Sequence, residues 1–142
     1  MRQIIVATDG SDGAQRAVEW AAQFAKDLGF KLFILTVGGY SSAEEVRRFE
    51  RTAVDLGAAL DALSNEILAK TKEVARQIGL SAIQVQAGWG DAAESIIDAA
   101  KREHADIIVV GKRGRGRLAG LLIGSVSQKV VSLAACPVIV VP

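Results

Sequence analysis

Four apolar residues, Ile107-Ile108-Val109-Val110, run directly into Gly111-x2-Gly114-x9-Gly124-Ser125, and the stretch between the outer glycines carries Lys112, Arg113, Arg115 and Arg117 with no acid. A strand that empties into a glycine loop and then a helix is a phosphate site in outline. Glycine has no Cβ, so its backbone can take positive φ and bring N–H groups close to a ligand. The segment from Ser125 reads as a helix to about Ala135. Its first N–H groups would lack intrahelical partners, and its dipole would favour an anion.

The rest of the chain repeats the strand–turn–helix theme. Ile4-Ile5-Val6-Ala7 is a β-branched run that ends in the polar turn Thr8 to Gly13, where Ser11 and Asp12 are helix N-cap candidates. Ala17, Val18, Ala21, Ala22, Phe24, Ala25 and Leu28 recur at helical spacing before Gly29. Lys31 to Val37 reads as a second strand, and Glu44 to about Ile78 as one long helix or two, with Gly57 weakening its middle. Ile83 to Gln86 alternates like a strand, Gly88-Trp89-Gly90-Asp91 reads as a turn, and Ala92 to Glu103 as a helix. Pro137 to Pro142 encloses four β-branched residues and predicts a fifth strand.

Five strands alternating with helical segments imply right-handed βαβ crossovers and a parallel sheet covered on both faces. The 142 residues suit one domain spanning 1–142. In such sheets ligands lie at the carboxyl ends of strands where the strand order reverses. Those ends are Asp9, Val37, Gly88 and Gly111.

Charge and cysteine content narrow the function classes. A net charge of +1 argues against a globally basic nucleic-acid binder, yet only cations follow Asp106, so the positive field is local. Cys136 is the single cysteine and supports neither a disulfide nor a thiolate cluster. The N-terminus lacks the apolar length of a signal peptide, and no run approaches the ~18 residues of a membrane span, so a cytoplasmic location is expected. Gly114-x-Gly116-x2-Ala119 fits a loose dinucleotide fingerprint, but the acid expected about 20 residues on is missing. The Walker A pattern is also absent. His104 stands at a helix end among charges, and with Cys136 isolated there is no nucleophile and base pair, so no catalytic residue is assigned. Trp20, Trp89 and the four Phe read as packing residues, with Trp89 placed where it could line the cleft.

Taken together, Ile4-Ile5-Val6-Ala7-Thr8-Asp9-Gly10-Ser11, Ala105-Asp106-Ile107-Ile108-Val109-Val110-Gly111, Gly124-Ser125-Val126-Ser127 and Cys136-Pro137-Val138 resemble the universal stress protein family over essentially the whole chain. The resemblance implies an adenine nucleotide α-hydrolase-like, doubly wound α/β fold with strand order 3-2-1-4-5, and dimers that pair their fifth strands through Val138 to Val141. In the nucleotide-binding branch, G-x2-G-x9-G-[ST] holds the phosphates and ribose of ATP. That motif maps onto Gly111, Gly114, Gly124 and Ser125, with Val126 and Ser127 adding contacts. The family's first-strand acid matches Asp9, and its adenine-side apolar positions match Ala7, Val37 and Val110. Lys112-Arg113 departs from the small hydroxyl and His residues commoner there, and Ala7 offers less shape than its counterparts in some members.

Three functions remain open on these grounds. One is an ATP-, ADP- or AMP-binding regulatory module with a role in stress response and an unknown protein partner. A second is a slow Mg²⁺-dependent ATPase, with Asp9 helping to hold the metal. The third is an RNA binder using the basic loop, which lacks interleaved aromatics for base stacking.

Overall fold

The computed structural model describes residues 1–38, 56–112 and 124–142. The strands are β1 (Gln3–Thr8), β2 (Lys31–Gly38), β3 (Ile83–Trp89), β4 (Ile107–Gly111) and β5 (Val138–Val141), and the helices are α1 (Asp12–Leu28), α2 (Leu56–Ile78), α3 (Ala92–Arg102) and α4 (Ser125–Leu133). All neighbouring strands pair in parallel, in the order β3-β2-β1-β4-β5. The parallel sheet is the one expected from the alternation of elements, and its strand order is the one the family resemblance implies. The boundaries differ in two places: β3 runs on through Gly88 and Trp89, which hydrogen-bond in register with β2 instead of turning, and α4 stops at Leu133. The expected helix from Glu44 is described only from Leu56 onward.

The β-branched runs are buried on both sheet faces because successive side chains in a strand point to opposite sides. Ile4, Val6, Leu32, Ile34 and Val109 join Ala17, Val18, Ala21, Ala22 and Ala25 of α1 and Leu68 and Ala75 of α2 in one apolar layer. The intervening Ile5, Phe33, Leu35, Ile108 and Val110 join Ala93, Ile96, Ile97 and Ala100 of α3 and Val130 of α4 in the other. Burying each large side chain contributes about 1.5–3 kcal/mol, so the two layers hold the sheet between them. The alanine stripe of α1 allows that helix to lie close to the strands. Of the residues expected to pack, Phe33 is fully buried, whereas Trp20 lies on the surface and stacks on Phe24 at 4.8 Å between ring centroids.

Candidate functional site

The strand order reverses between β1 and β4, and there the carboxyl ends of the sheet separate. β1 pairs with β2 as far as Thr8↔Thr36, but with β4 only as far as Val6↔Val109. β4 meanwhile stays paired with β5 to Gly111↔Val141. Ala7, Thr8 and Asp9 therefore form one lip of a crevice, and Val110, Gly111 and Lys112 form the other.

The β1 lip turns sharply into α1. Gly10 has φ 81°, a left-handed conformation that glycine accepts without a Cβ clash. Asp9 Oδ1 accepts a hydrogen bond from the Ser11 N–H at 2.9 Å, an Asx-type turn, and Asp9 makes a further interaction. Ser11, in extended conformation, is the N-cap of α1 and its hydroxyl accepts from Ala14 N at 3.2 Å. Asp12 is thus the first helical residue and not the cap, a correction that follows from which residue has the non-helical backbone.

The β4 lip is shaped by how near α1 comes. A Cβ placed on Gly111 would sit 3.1 Å from the Gly13 carbonyl oxygen and 3.2 Å from its carbon, both backbone atoms. Gly111 is glycine because the first turn of α1 crosses it, and its φ is not left-handed. Gly124 likewise has an ordinary φ of −70°, so the expectation of positive φ at these two motif glycines is not met.

Beyond Gly111, one carbonyl ties the end of β4 to the start of α4. Lys112 donates its N–H to Val141 O at 2.7 Å, which continues the β4–β5 ladder. Its own carbonyl accepts from Gly124 N at 2.7 Å and from the Ser127 hydroxyl at 2.9 Å. Ser127 is 3% exposed, with the Gly124 carbonyl also 3.1 Å from its hydroxyl. Residues 112 and 124 are thereby pinned together. Gly114, Arg113, Arg115 and Arg117, named from the sequence, lie outside the described residues.

Gly124 is the N-cap of α4 and makes no side-chain cap bond, so neither Ser125 nor Ser127 serves as the cap. The first i→i−4 bond of the helix is Gln128 N to Gly124 O. The N–H groups of Ser125, Val126 and Ser127 thus precede the helical ladder, beside the β4 lip, in the arrangement that binds anions. Ser125 and Val126 are exposed there, and Ala7, Val37 and Val110 share the sheet face covered by α3 and α4. Nine of the ten site residues expected from the sequence are thus described. Asp9, Gly111 and Gly124 to Ser127 flank the mouth of the crevice, while Val110 is buried in its floor.

Sequence reasoning missed what lies across the mouth. Lys129 of α4 reaches the N-terminus of α3, with Nζ 3.4 Å from Asp91 Oδ1 and 3.6 Å from Glu94 Oε1. Asp91 caps α3 by accepting from Glu94 N at 2.9 Å. That bond, with Lys129 adding to it, holds the Asp91 carboxyl below its usual range against the opposing effect of burial. No local pattern signals a pair 38 residues apart.

Other titratable groups stand apart. Burial first, and the Asp106 charge second, push the Cys136 thiol up, so at neutral pH it is a protonated thiol. His104 is exposed at the end of α3 with φ 53°. Among the described residues no three His, Cys, Asp or Glu side chains gather as a metal site, and no helix is long and apolar enough to cross a membrane. A Mg²⁺ ion in this crevice would take its ligands from phosphate oxygens, water and at most the Asp9 carboxylate, a donor set this cation commonly uses.

A parallel sheet in the order β3-β2-β1-β4-β5, split at its switch point beside the N-terminus of a helix, defines a doubly wound α/β protein. The family model of the universal stress protein family matches residues 1–142, and the chain belongs to that family. The universal stress protein YxiE of Bacillus subtilis is 34% identical over 98% of this chain and 97% of its own length. Among solved structures, a universal stress protein in complex with cAMP is 28% identical with a TM-score of 0.73, covering 99% of this chain and 96% of that one. An Arabidopsis thaliana family member with AMP bound is 25% identical with a TM-score of 0.71, covering 99% and 91%.

Proposed function

We propose that the crevice between β1 and β4 binds an adenine nucleotide, with ATP as the ligand best matched to its charge, and that the protein is a regulatory module in stress response. The observation that carries this reading is the set of Ser125, Val126 and Ser127 N–H groups presented beside Gly111 and Lys112 at the switch point. The cAMP and AMP complexes of family members support an adenine base. The cations of the loop favour a polyphosphate over a monophosphate. Gly114 and Ser125 would contact phosphate and ribose, and Ala7, Val37 and Val110 the adenine side.

An affinity of about 1 mM or better is expected, which needs only ~4 kcal/mol. Denaturing the purified protein and identifying released nucleotide, followed by calorimetry with ATP, ADP and AMP, tests the reading. Gly114→Val and Gly124→Val are expected to remove binding while the protein stays folded. Unchanged affinity in both would move the site elsewhere.

Asp9 at the crevice lip favours a second reading, slow Mg²⁺-dependent hydrolysis of the bound ATP. Phosphate release that depends on Mg²⁺ and is lost in Asp9→Ala would support it; its absence would leave a binding module.

We also propose a homodimer through β5. This edge strand is half-buried at each of Val138, Ile139, Val140 and Val141, with Ile139 and Val141 packing into one layer and Val138 and Val140 into the other. Its outer N–H and C=O groups form an open ladder that a second copy would complete about a two-fold axis. Light scattering of Ile139→Lys and Val140→Pro is expected to show monomer or insoluble protein. A monomeric unmodified chain at tens of micromolar, or dimers unaffected by both changes, would contradict this interface.

A further inference from the structure

We propose that the cleft between β3 and α3 is a second ligand site, separate from the nucleotide crevice, which takes a small zwitterion of α-amino-acid type with a short aliphatic side chain. β3 is an edge strand whose side chains alternate, and Ile83, Val85 and Ala87 pack into the layer of α1 and α2. Gln86 and Gly88 belong to the other face, where a Cβ on Gly88 would meet Leu35 Cδ1 at 3.7 Å and Ser95 Cβ at 3.9 Å. There α3 spends Ile96 and Ile97 on the layer that holds Phe33 and Leu35. Beside Gln86 and Gly88 it leaves an open cleft of about 170 Å³ with Leu35 and Ala99 as its apolar part. None of the lining residues is among those assigned to the nucleotide.

The cleft is also lined by one anion and one cation, Asp98 and Arg102, that do not pair with each other. They stand one helical turn apart on α3, the spacing at which opposite charges usually meet. Arg102 instead donates from Nη2 to Gln86 Oε1 at 2.9 Å and from Nε to Glu103 Oε1 at 3.2 Å. These bonds leave guanidinium N–H groups for a two-bond contact with a carboxylate. Asp98 makes no ion pair among the described residues and can accept from an ammonium group. A ligand of a single sign would be repelled by one of the two, whereas a zwitterion satisfies both and sets its side chain against Leu35 and Ala99. Size limits the choice further: the cleft is close to the ~150 Å³ that encloses a benzene-sized molecule, which admits valine and excludes a nucleotide.

NMR titration of the isotopically labelled protein with L-valine tests the site. The amide signals of Gly88, Ala99 and Arg102 are expected to shift with a Kd of about 1 mM, and to do so equally with ATP at saturation. Isovalerate lacks the ammonium group and isobutylamine the carboxylate, so each should bind about fivefold more weakly than L-valine. Asp98→Asn should weaken L-valine about fivefold and leave isovalerate unchanged, and Arg102→Gln should weaken L-valine about fivefold and leave isobutylamine unchanged. Gly88→Ala meets only ordinary contacts, so the protein stays folded while the added methyl narrows the cleft and lowers the affinity for L-valine. No shift up to about 10 mM L-valine, affinity unchanged in both Asp98→Asn and Arg102→Gln, or displacement of L-valine by ATP would overturn the site.

Discussion

The hydroxyl of Ser127 donates to the carbonyl of Lys112 across 2.9 Å, joining the end of β4 to the first turn of α4. The same carbonyl takes the Gly124 N–H, so Lys112 and Gly124 are held at a fixed separation. The position of the α4 N-terminus beside the crevice thus depends on the bonds that this carbonyl accepts from the Ser127 hydroxyl and the Gly124 N–H.

Removing that hydroxyl has a separable consequence. Ser127→Ala leaves the Lys112 carbonyl with its Gly124 partner, so the expected loss of stability is modest, about 1 kcal/mol by chemical denaturation. Nucleotide affinity should fall several-fold, because the helix start is less firmly placed. Stability and affinity both equal to the parent would show that the Gly124 bond suffices.

Gly111 should be intolerant of even one methyl group. Gly111→Ala puts a Cβ 3.1 Å from the backbone of Gly13, and separating α1 from β4 costs about 1–3 kcal/mol. Gly88→Ala is the control, since its Cβ would meet only side-chain carbons at 3.7–3.9 Å, an ordinary contact. Thermal denaturation of the two variants should separate them; equal melting temperatures would contradict the close approach.

At the β1 lip, three side chains have distinct jobs. Ser11→Ala removes the cap of α1 and should cost about 1 kcal/mol, and Asp12→Ala only a few tenths through the helix dipole. Asp9→Ala should weaken nucleotide binding more than Asp12→Ala does. A thermal shift in which Asp12→Ala loses stabilisation by ATP and Asp9→Ala keeps it would place the site on the wrong side of the turn.

Asp91 gives the protein an acid-sensitive link. Its carboxyl is held below the ordinary 3.8, first by the Glu94 N–H and then by Lys129, so the folded state favours the ionised form. The stabilisation is present above that value and disappears as pH falls through the lower, folded-state value. Asp91→Asn keeps an acceptor for the cap but no charge for Lys129. Melting temperatures of parent and Asp91→Asn should differ at neutral pH and converge below about pH 4. A gap that persists undiminished to pH 2 would show that the carboxylate is not its source.

The alternation of β-branched runs with helical spacing determined the elements and the parallel sheet, because burial on both faces demands continuous apolar strands and each parallel step demands a crossover. The family likeness of its motifs implied the strand order 3-2-1-4-5, and the pairing of β1 with both β2 and β4 bears it out. Local sequence also placed Asp9, Gly111, Gly124 and Ser125 at strand and helix ends, since turn chemistry acts within a few residues. It could not say why Gly111 lacks a side chain, for that reason lies in Gly13, nearly a hundred residues away in the chain. It grouped Ser127 with the nucleotide contacts but gave no sign that the fold buries its hydroxyl against Lys112 O. It read Gly88-Trp89 as a turn, whereas pairing with Val37-Gly38 draws both into β3. The meeting of Lys129 with Asp91 and Glu94 needed α3 and α4 to lie side by side. Propensity and capping are short-range and legible in order along the chain; close approach, shared carbonyls and the walls of a crevice arise only when distant segments pack.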